Sequence, residues 1–281
     1  MTIPLPILTG LREIAGDYDA LVCDVWGVLH NGVRANEAAC DALKAFRSGQ
    51  GPVVLVSNAP RPVSDLKIQF ARFGVPEDCY DAIITSGVAS REALAQRTAK
   101  GRLKIYHLGP ERDRGVFEGL TLDCVPVADA ELVLCTGLFD DDTETPETYR
   151  AQLIEMKARG LTMLCANPDL VVQRGGKLVY CAGALAQEYE RLGGAVTYYG
   201  KPHRPIYDFV LAAARGAKHP LAIGDGLHTD IKGANVAGID ALFIADGIHG
   251  EDIKPFTPEH MGELFERRGL HARAAMRTLV W

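Results

Sequence analysis

Residues 21–32 read LVCDVWGVLHNG. With Ala20 ahead of it, the apolar run predicts a buried strand that ends near Asp24, and Gly27 marks the turn that follows. Open α/β sheets bind ligands outside the carboxyl ends of their strands, so a carboxylate in that place is a candidate site residue. On this segment alone, a turn or capping aspartate accounts for Asp24 equally well.

The same pattern repeats outward. ANEAACDALKAFRSG (35–49) has helical spacing and stops at Gly49, and PVVLVS (52–57) is a second strand. PVSDLKIQFARFG (62–74) is a helix closed by Gly74, and DAIIT (81–85) is a third strand. SGVASREALAQRTAKG (86–101) follows as a helix for which Ser86 is the expected N-cap. Toward the other end, AVTYY, PLAIGD and DALFIA read as strands, with helices over PIYDFVLAAARG and TDIKGANVAG. Strands and helices alternating at this spacing argue for parallel βαβ units. The middle adds strands near LKIYHL, ELVLCT and LTMLCA, and helices expected after Gly109 and at Pro146. The tail TPEHMGELFERRGLHARAAMRTLVW (257–281) looks helical and amphipathic, fit either to cover the core or to form a dimer surface.

Composition narrows the function classes. At about 150 residues per domain, 281 residues correspond to roughly two domains. The 30 basic and 36 acidic residues give a net charge of −6, with no basic run to hold a nucleic acid. No uncharged apolar stretch approaches the length of a membrane span, and MTIPLPILTG is a poor signal peptide, so a cytoplasmic protein is expected. The seven cysteines form no CxxC pair and read as small buried residues in a reducing compartment.

Three more strand ends carry polar groups. VLVSNAPR (54–61) ends in Ser57 and Asn58, which could donate to an oxyanion. YYGKPHRPIYDF (198–209) places Lys201 just past a strand. In LAIGDGLHTDIKGANVAG (221–238), Asp225 and Asp230 bracket a glycine turn, a donor set suited to a hard divalent cation. Each has a bland reading: a generic loop, a solvated lysine, a helix cap. FDDDTETPE (139–147) does not match the spacing of a calcium loop and reads as a solvated acidic loop. Arg112 and Arg114 of GPERDRG (109–115) read likewise as a solvated face.

Asp24, Ser57, Lys201 and Asp225 each follow a predicted parallel strand, and their order resembles the four motifs of the haloacid dehalogenase (HAD) superfamily. GVLHNG, NPDLVVQ, GKP and GDGLHTDIKGANVAG are similar to its class IIA branch of nucleotide, phosphoglycolate, pyridoxal phosphate and 4-nitrophenyl phosphate phosphatases. The resemblance implies an α/β fold, a HAD-like Rossmannoid core with a parallel sheet and an inserted α/β cap. Residues 1–84 and 199–281 would build the core and residues 85–198 the cap, which closes over the site as lids do. It further implies a Mg²⁺-dependent phosphatase acting on a small phosphorylated metabolite, and it is compatible with a homodimer. Asp24 would be the nucleophile, forming an aspartyl-phosphate. Ser57 and Asn58 would hold the phosphoryl group, and Lys201 would offset its charge. Asp24, Asp225 and the Trp26 carbonyl would bind Mg²⁺, with Asp230 supporting.

One position departs from the pattern. The family's usual phosphatase motif has a second aspartate two residues after the nucleophile, where this chain has Trp26. A backbone carbonyl there can still bind metal, but an indole supplies no acid or base, a contribution of about 10²–10⁴-fold. Three readings follow: a phosphatase with a good leaving group or with a replacement acid, a dehalogenase, and a binder of phosphorylated ligands or of a protein with little turnover. His30 and His228 are the imidazoles nearest in sequence. Asp225 and Asp230 argue against a metal-free dehalogenase. CAGALAQEYERLGG (181–194) lacks the Pro-Gly-rich form expected at the substrate pocket of the class, so no named substrate is carried over.

Overall fold

The computed structural model describes residues 3–174, 177–247 and 253–281, with the backbone alone at Gln173 and Arg174. In chain order its strands are β1 (Ala20–Asp24), β2 (Val53–Ser57), β3 (Ala82–Thr85), β4 (Leu103–Leu108), β5 (Leu122–Cys124), β6 (Leu132–Cys135) and β7 (Thr162–Cys165). They continue as β8 (Val171–Arg174), β9 (Lys177–Tyr180), β10 (Ala195–Tyr198), β11 (Pro220–Gly224), β12 (Asp240–Ile244) and β13 (Ala274–Met276). The chain divides into two compact units. One comprises Met1–Ser57, Leu66–Ile84 and Lys201–Trp281, the other Asn58–Asp65 and Thr85–Gly200.

The first unit is built on a six-stranded sheet in the order β13-β12-β11-β1-β2-β3. The pairs from β13 through to β2 are parallel. Every residue of β1, β2 and β11 is buried, which is why these segments read as continuous apolar runs. The helix Glu37–Gly49 begins at Asn36, whose side chain caps Ala39 N–H, and it buries Ala39, Cys40, Ala42, Leu43 and Phe46 on one stripe. The helix Arg204–Ala213 packs Ile206, Tyr207 and Val210 with Ala20, Val22, Val54 and Val56. Each large side chain so buried contributes about 1.5–3 kcal/mol. In register, Asp24 stands beside Val56, and Cys23 beside both Leu55 and Ile223. Asp24, Ser57 and Asp225 therefore emerge at the same end of the sheet.

The tail is only partly helical. Pro258–Arg268 is a helix, capped by the Thr257 hydroxyl and ended at Gly269 in the left-handed region, φ 61°. Its Met261 and Phe265 join the core around Phe243 and Ala275, so this helix covers the core. Beyond it, Ala274–Met276 pairs with β12 as the edge strand, and Ala275 is bracketed from the other side by Pro6 and Leu8. The amphipathic pattern misread this stretch because a short Ala-Ala-Met strand has no alternation to reveal it.

The second unit has a sheet in the order β10-β7-β6-β4-β5, with parallel pairing throughout, and a separate antiparallel hairpin β8–β9. Its core gathers Val133, Met163, Leu153, Met156, Leu185 and Tyr189. The helix Ser86–Thr98 is capped by Thr85, whose hydroxyl accepts from Val88 N–H at 3.0 Å, not by Ser86. Ser86 instead donates to the carbonyls of Ala59 (3.0 Å) and Ala166 (2.5 Å). The segment after Gly109 forms a 3₁₀ helix, Glu111–Val116, and Pro146 opens a 3₁₀ turn that leads into the helix Arg150–Ala158. Six cysteines are buried, and Cys124 is exposed. No helix among the described residues is long and apolar enough to cross a membrane.

Candidate active site

Four charged side chains of the first unit meet beyond the strand ends, and all are buried: Asp24, Lys201, Asp225 and Asp230. Lys201 Nζ donates to Asp24 Oδ1 and to Asp230 Oδ1, the latter at 2.7 Å, and lies 3.5 Å from the Val56 carbonyl. The second oxygen of Asp230 accepts from Gly226 N–H at 3.0 Å and from the Thr229 hydroxyl at 3.3 Å. Asp230 is thus held on one oxygen by Lys201 and on the other by the turn that leads into the helix Lys232–Ala237. One carboxylate oxygen from each of Asp24, Asp225 and Asp230 lies within 4.8 Å of the others.

Glycines make room for this cluster. Gly27 has φ 92°, and a Cβ there would come within 2.1 Å of Asp225 Oδ2. A Cβ on Gly247 would come within 2.0 Å of the same atom. Asp225 is therefore seated between two bare backbones, one from the turn after β1 and one from the loop after β12. Neither glycine was singled out as a site residue in the sequence, although both lie in the short turns WG and DG.

The electrostatics follow from burial. Desolvation pushes the Asp24 carboxyl well above its usual range; Lys201 opposes this, and the charges of Asp230 and Asp225 add to it. Burial alone would lower the Lys201 ammonium, but Asp230 and Asp24 hold it well above a lysine's ordinary value. With all three carboxyls ionised against one ammonium, two negative charges remain. That residue, offered by oxygen ligands alone, suits one hard divalent cation. Asp230 is bonded on both oxygens, by Lys201 and by the Gly226–Thr229 turn, whereas Asp24 gives Lys201 only Oδ1, so Asp24 and Asp225 are the carboxylates that could hold it.

Ser57 is buried as the last residue of β2, next to the Val56 that stands in register with Asp24. Asn58 falls in the second unit, where its amide donates to Asp169 Oδ1 at 2.8 Å, so one of its hydrogens is committed to a carboxylate. Asp169 belongs to the NPD stretch, and its own N–H is held by Asn167 Oδ1 at 3.1 Å. The acidic loop of the second unit pairs Asp141 with Arg112 at 2.5 Å and Asp140 with Thr143 at 2.7 Å.

Neither candidate imidazole is presented to the carboxylate cluster. His30 is buried in an aromatic cage, its ring centroid 5.2 Å from Trp26, 5.0 Å from Phe73 and 6.0 Å from Phe70. Its Nδ1 accepts from Gly32 N–H at 3.1 Å, and Nε2 has no partner among the described residues. Burial lowers its pKa to about 4, so at neutral pH it carries no imidazolium proton to give. His228 is exposed and contacts Arg268 at 2.7 Å. The indole of Trp26 is half-buried and lies over Gly32, where a Cβ would stand 2.6 Å from Cη2.

Sheet, strand-end acids and buried lysine together define an α/β enzyme fold with an aspartate-centred site. A haloacid dehalogenase-like hydrolase model matches residues 21–123, and a HAD-hydrolase-like model matches residues 198–264. The structure of a haloacid dehalogenase-like hydrolase from Brucella suis 1330 is 41% identical, with a TM-score of 0.85 over 96% of this chain and 99% of that one. The ribonucleotide monophosphatase NagD of Escherichia coli (strain K12) is 28% identical over 249 residues, 85% of this chain and 93% of that protein. The D-glycerol 3-phosphate phosphatase of Mycobacterium tuberculosis is 25% identical over 247 residues, 85% of this chain and 66% of that protein. This chain belongs to the haloacid dehalogenase-like hydrolase family.

Proposed function

We propose that this protein is a phosphoric monoester hydrolase that acts on a small phosphorylated metabolite, with Asp24 as nucleophile and Mg²⁺ as cofactor. The observation that carries the reading is the buried cluster in which Lys201 bridges Asp24 and Asp230 while Asp225 faces them. Phosphoryl transfer needs positioning and charge neutralisation above all, and this cluster offers both. The related proteins act on phosphate esters as different as a ribonucleotide and glycerol 3-phosphate, which supports the reaction type and leaves the substrate open.

In this reading Asp24 attacks phosphorus and carries the phosphoryl group as an acyl phosphate until water releases it. Lys201 holds Asp24 in its attacking form and meets the charge of the phosphoryl oxygens. Ser57 donates a hydroxyl to the same group, and Asn58, tied to Asp169, steadies the loop that follows. Asp24, Asp225 and the Trp26 carbonyl would hold Mg²⁺, whose chemistry is to neutralise charge on the phosphoryl oxygens. The second unit serves as a cap that selects the substrate, and the protein works in the cytoplasm.

The test is hydrolysis of 4-nitrophenyl phosphate and acetyl phosphate with and without Mg²⁺, beside the Asp24→Asn variant. Turnover that needs Mg²⁺ and disappears in Asp24→Asn is expected. Trp26 favours a second reading, a phospholigand- or protein-binding member of the family. That reading takes over if the wild-type protein shows neither hydrolysis nor a phosphoenzyme.

A further inference from the structure

Trp26 is not a loose replacement for an acid. Its indole meets the His30 ring edge-on, with the ring planes at 78°, and lies against the bare backbone of Gly32 at φ 83°. His30 is locked in turn by Phe70 and Phe73. Backbone bridges run from Trp26 to His30 and from His30 to Ala35, and the Gly27 N–H donates to the His30 carbonyl at 2.9 Å. The turn after the nucleophile, residues 25–35, is therefore a packed piece that carries an indole and a caged imidazole and has no carboxyl group in its sequence. Of the carboxylates near it, Asp230 is bonded to Lys201 and the Gly226 N–H, Asp246 pairs with Arg277, and Asp225 is seated against Gly27 and Gly247.

A leaving group that departs over this turn receives no proton from it. As Asp24 oxygen bonds to phosphorus, the bond from phosphorus to the substrate oxygen breaks, and the electron pair leaves with that oxygen as an anion. The anion takes its proton later from water. In the second half, water adds to phosphorus, the Asp24 carboxylate is the group displaced, and inorganic phosphate is released.

We infer that the substrate is a phosphate whose own leaving oxygen carries the charge, namely an acyl, enol or aryl phosphate and not the phosphate of an ordinary alcohol. This rests on the phosphatase reading and names the substrate class for the same site. It also sets this chain apart from relatives named for a ribonucleotide and for glycerol 3-phosphate.

The experiment is a leaving-group series. kcat/KM is measured with Mg²⁺ for aryl phosphates of graded phenol acidity, for acetyl phosphate and for glycerol 3-phosphate. A fully developed charge on the departing oxygen makes the rate fall by roughly tenfold per unit of leaving-group pKa. Trp26→Asp should flatten that dependence and raise turnover of glycerol 3-phosphate by about 10²–10⁴-fold. Trp26→Asn, which removes the indole without adding an acid, should keep it steep. A wild-type dependence shallower than about threefold per unit, half of that charge, overturns the inference. So does a Trp26→Asn variant as flat as Trp26→Asp, since the indole would then obstruct and not merely fail to protonate. The wild-type slope decides the matter even if neither variant folds. Hydrolysis of none of the series, acetyl phosphate included, overturns the phosphatase reading together with this one.

Discussion

Acidification should destabilise this protein through His30 by an amount the structure allows one to work out. The imidazole is buried among Trp26, Phe70 and Phe73, and its pKa falls from 6.5 to about 4 because burial disfavours the charged ring. In the unfolded chain the same ring takes up a proton near its ordinary value. Between the two values the unfolded state binds a proton that the folded state does not, so stability rises with pH across that window. The contribution is fully present above about pH 6.5 and is lost progressively toward pH 4. Over the whole window it amounts to about 3 kcal/mol, and between pH 7.5 and pH 5.0 to about 2 kcal/mol. The assay is urea unfolding of wild type and His30→Gln at those two pH values. Other groups titrate in both proteins, so the quantity of interest is the difference between their two losses. Wild type should lose about 2 kcal/mol more than the variant. Equal losses would refute the burial argument, and a wild-type ring that titrates near 6.5 by NMR would return His30 to the candidates for general acid.

Two further substitutions probe the carboxylate cluster. Gly27→Ala forces a Cβ to within 2.1 Å of Asp225 Oδ2 at φ 92°, so the carboxylate must move. Calorimetry should show Mg²⁺ affinity falling by roughly 10–100-fold, and unchanged affinity would remove Asp225 from the ligand set. Lys201→Met leaves Asp24 and Asp230 buried without their shared cation. In metal-free buffer the unfolding free energy should drop by about 3–5 kcal/mol, and a drop under about 1 kcal/mol would mean that the triad is not a structural element.

Much of the fold was legible because its signals are local. The run before Asp24, the glycines at 49 and 74, and the spacing of Leu43 and Phe46 depend on neighbours within a turn or two of the chain. The motif order likewise joins Asp24, Lys201 and Asp225 in one family pattern. Where local signals competed, they misled. Thr85 and Ser86 are both good caps, and only the carbonyls of Ala59 and Ala166 decide that Ser86 faces the other way. The 274–276 strand exists because β12 and the Pro6–Leu8 segment flank it, not because its three residues favour a strand.

The site divides along the same line. Sequence by itself determined which residue types stand at the strand ends, and that Trp26 occupies the place of an expected acid. Tertiary structure alone decided that Lys201 reaches Asp24 across 177 residues of chain, that Asp225 is seated between Gly27 and Gly247, and that His30 is caged. Side-chain identity and spacing are properties of the chain. A charge balance, a pKa and the enclosure of a ring are set by burial and by distant partners, which no local pattern records.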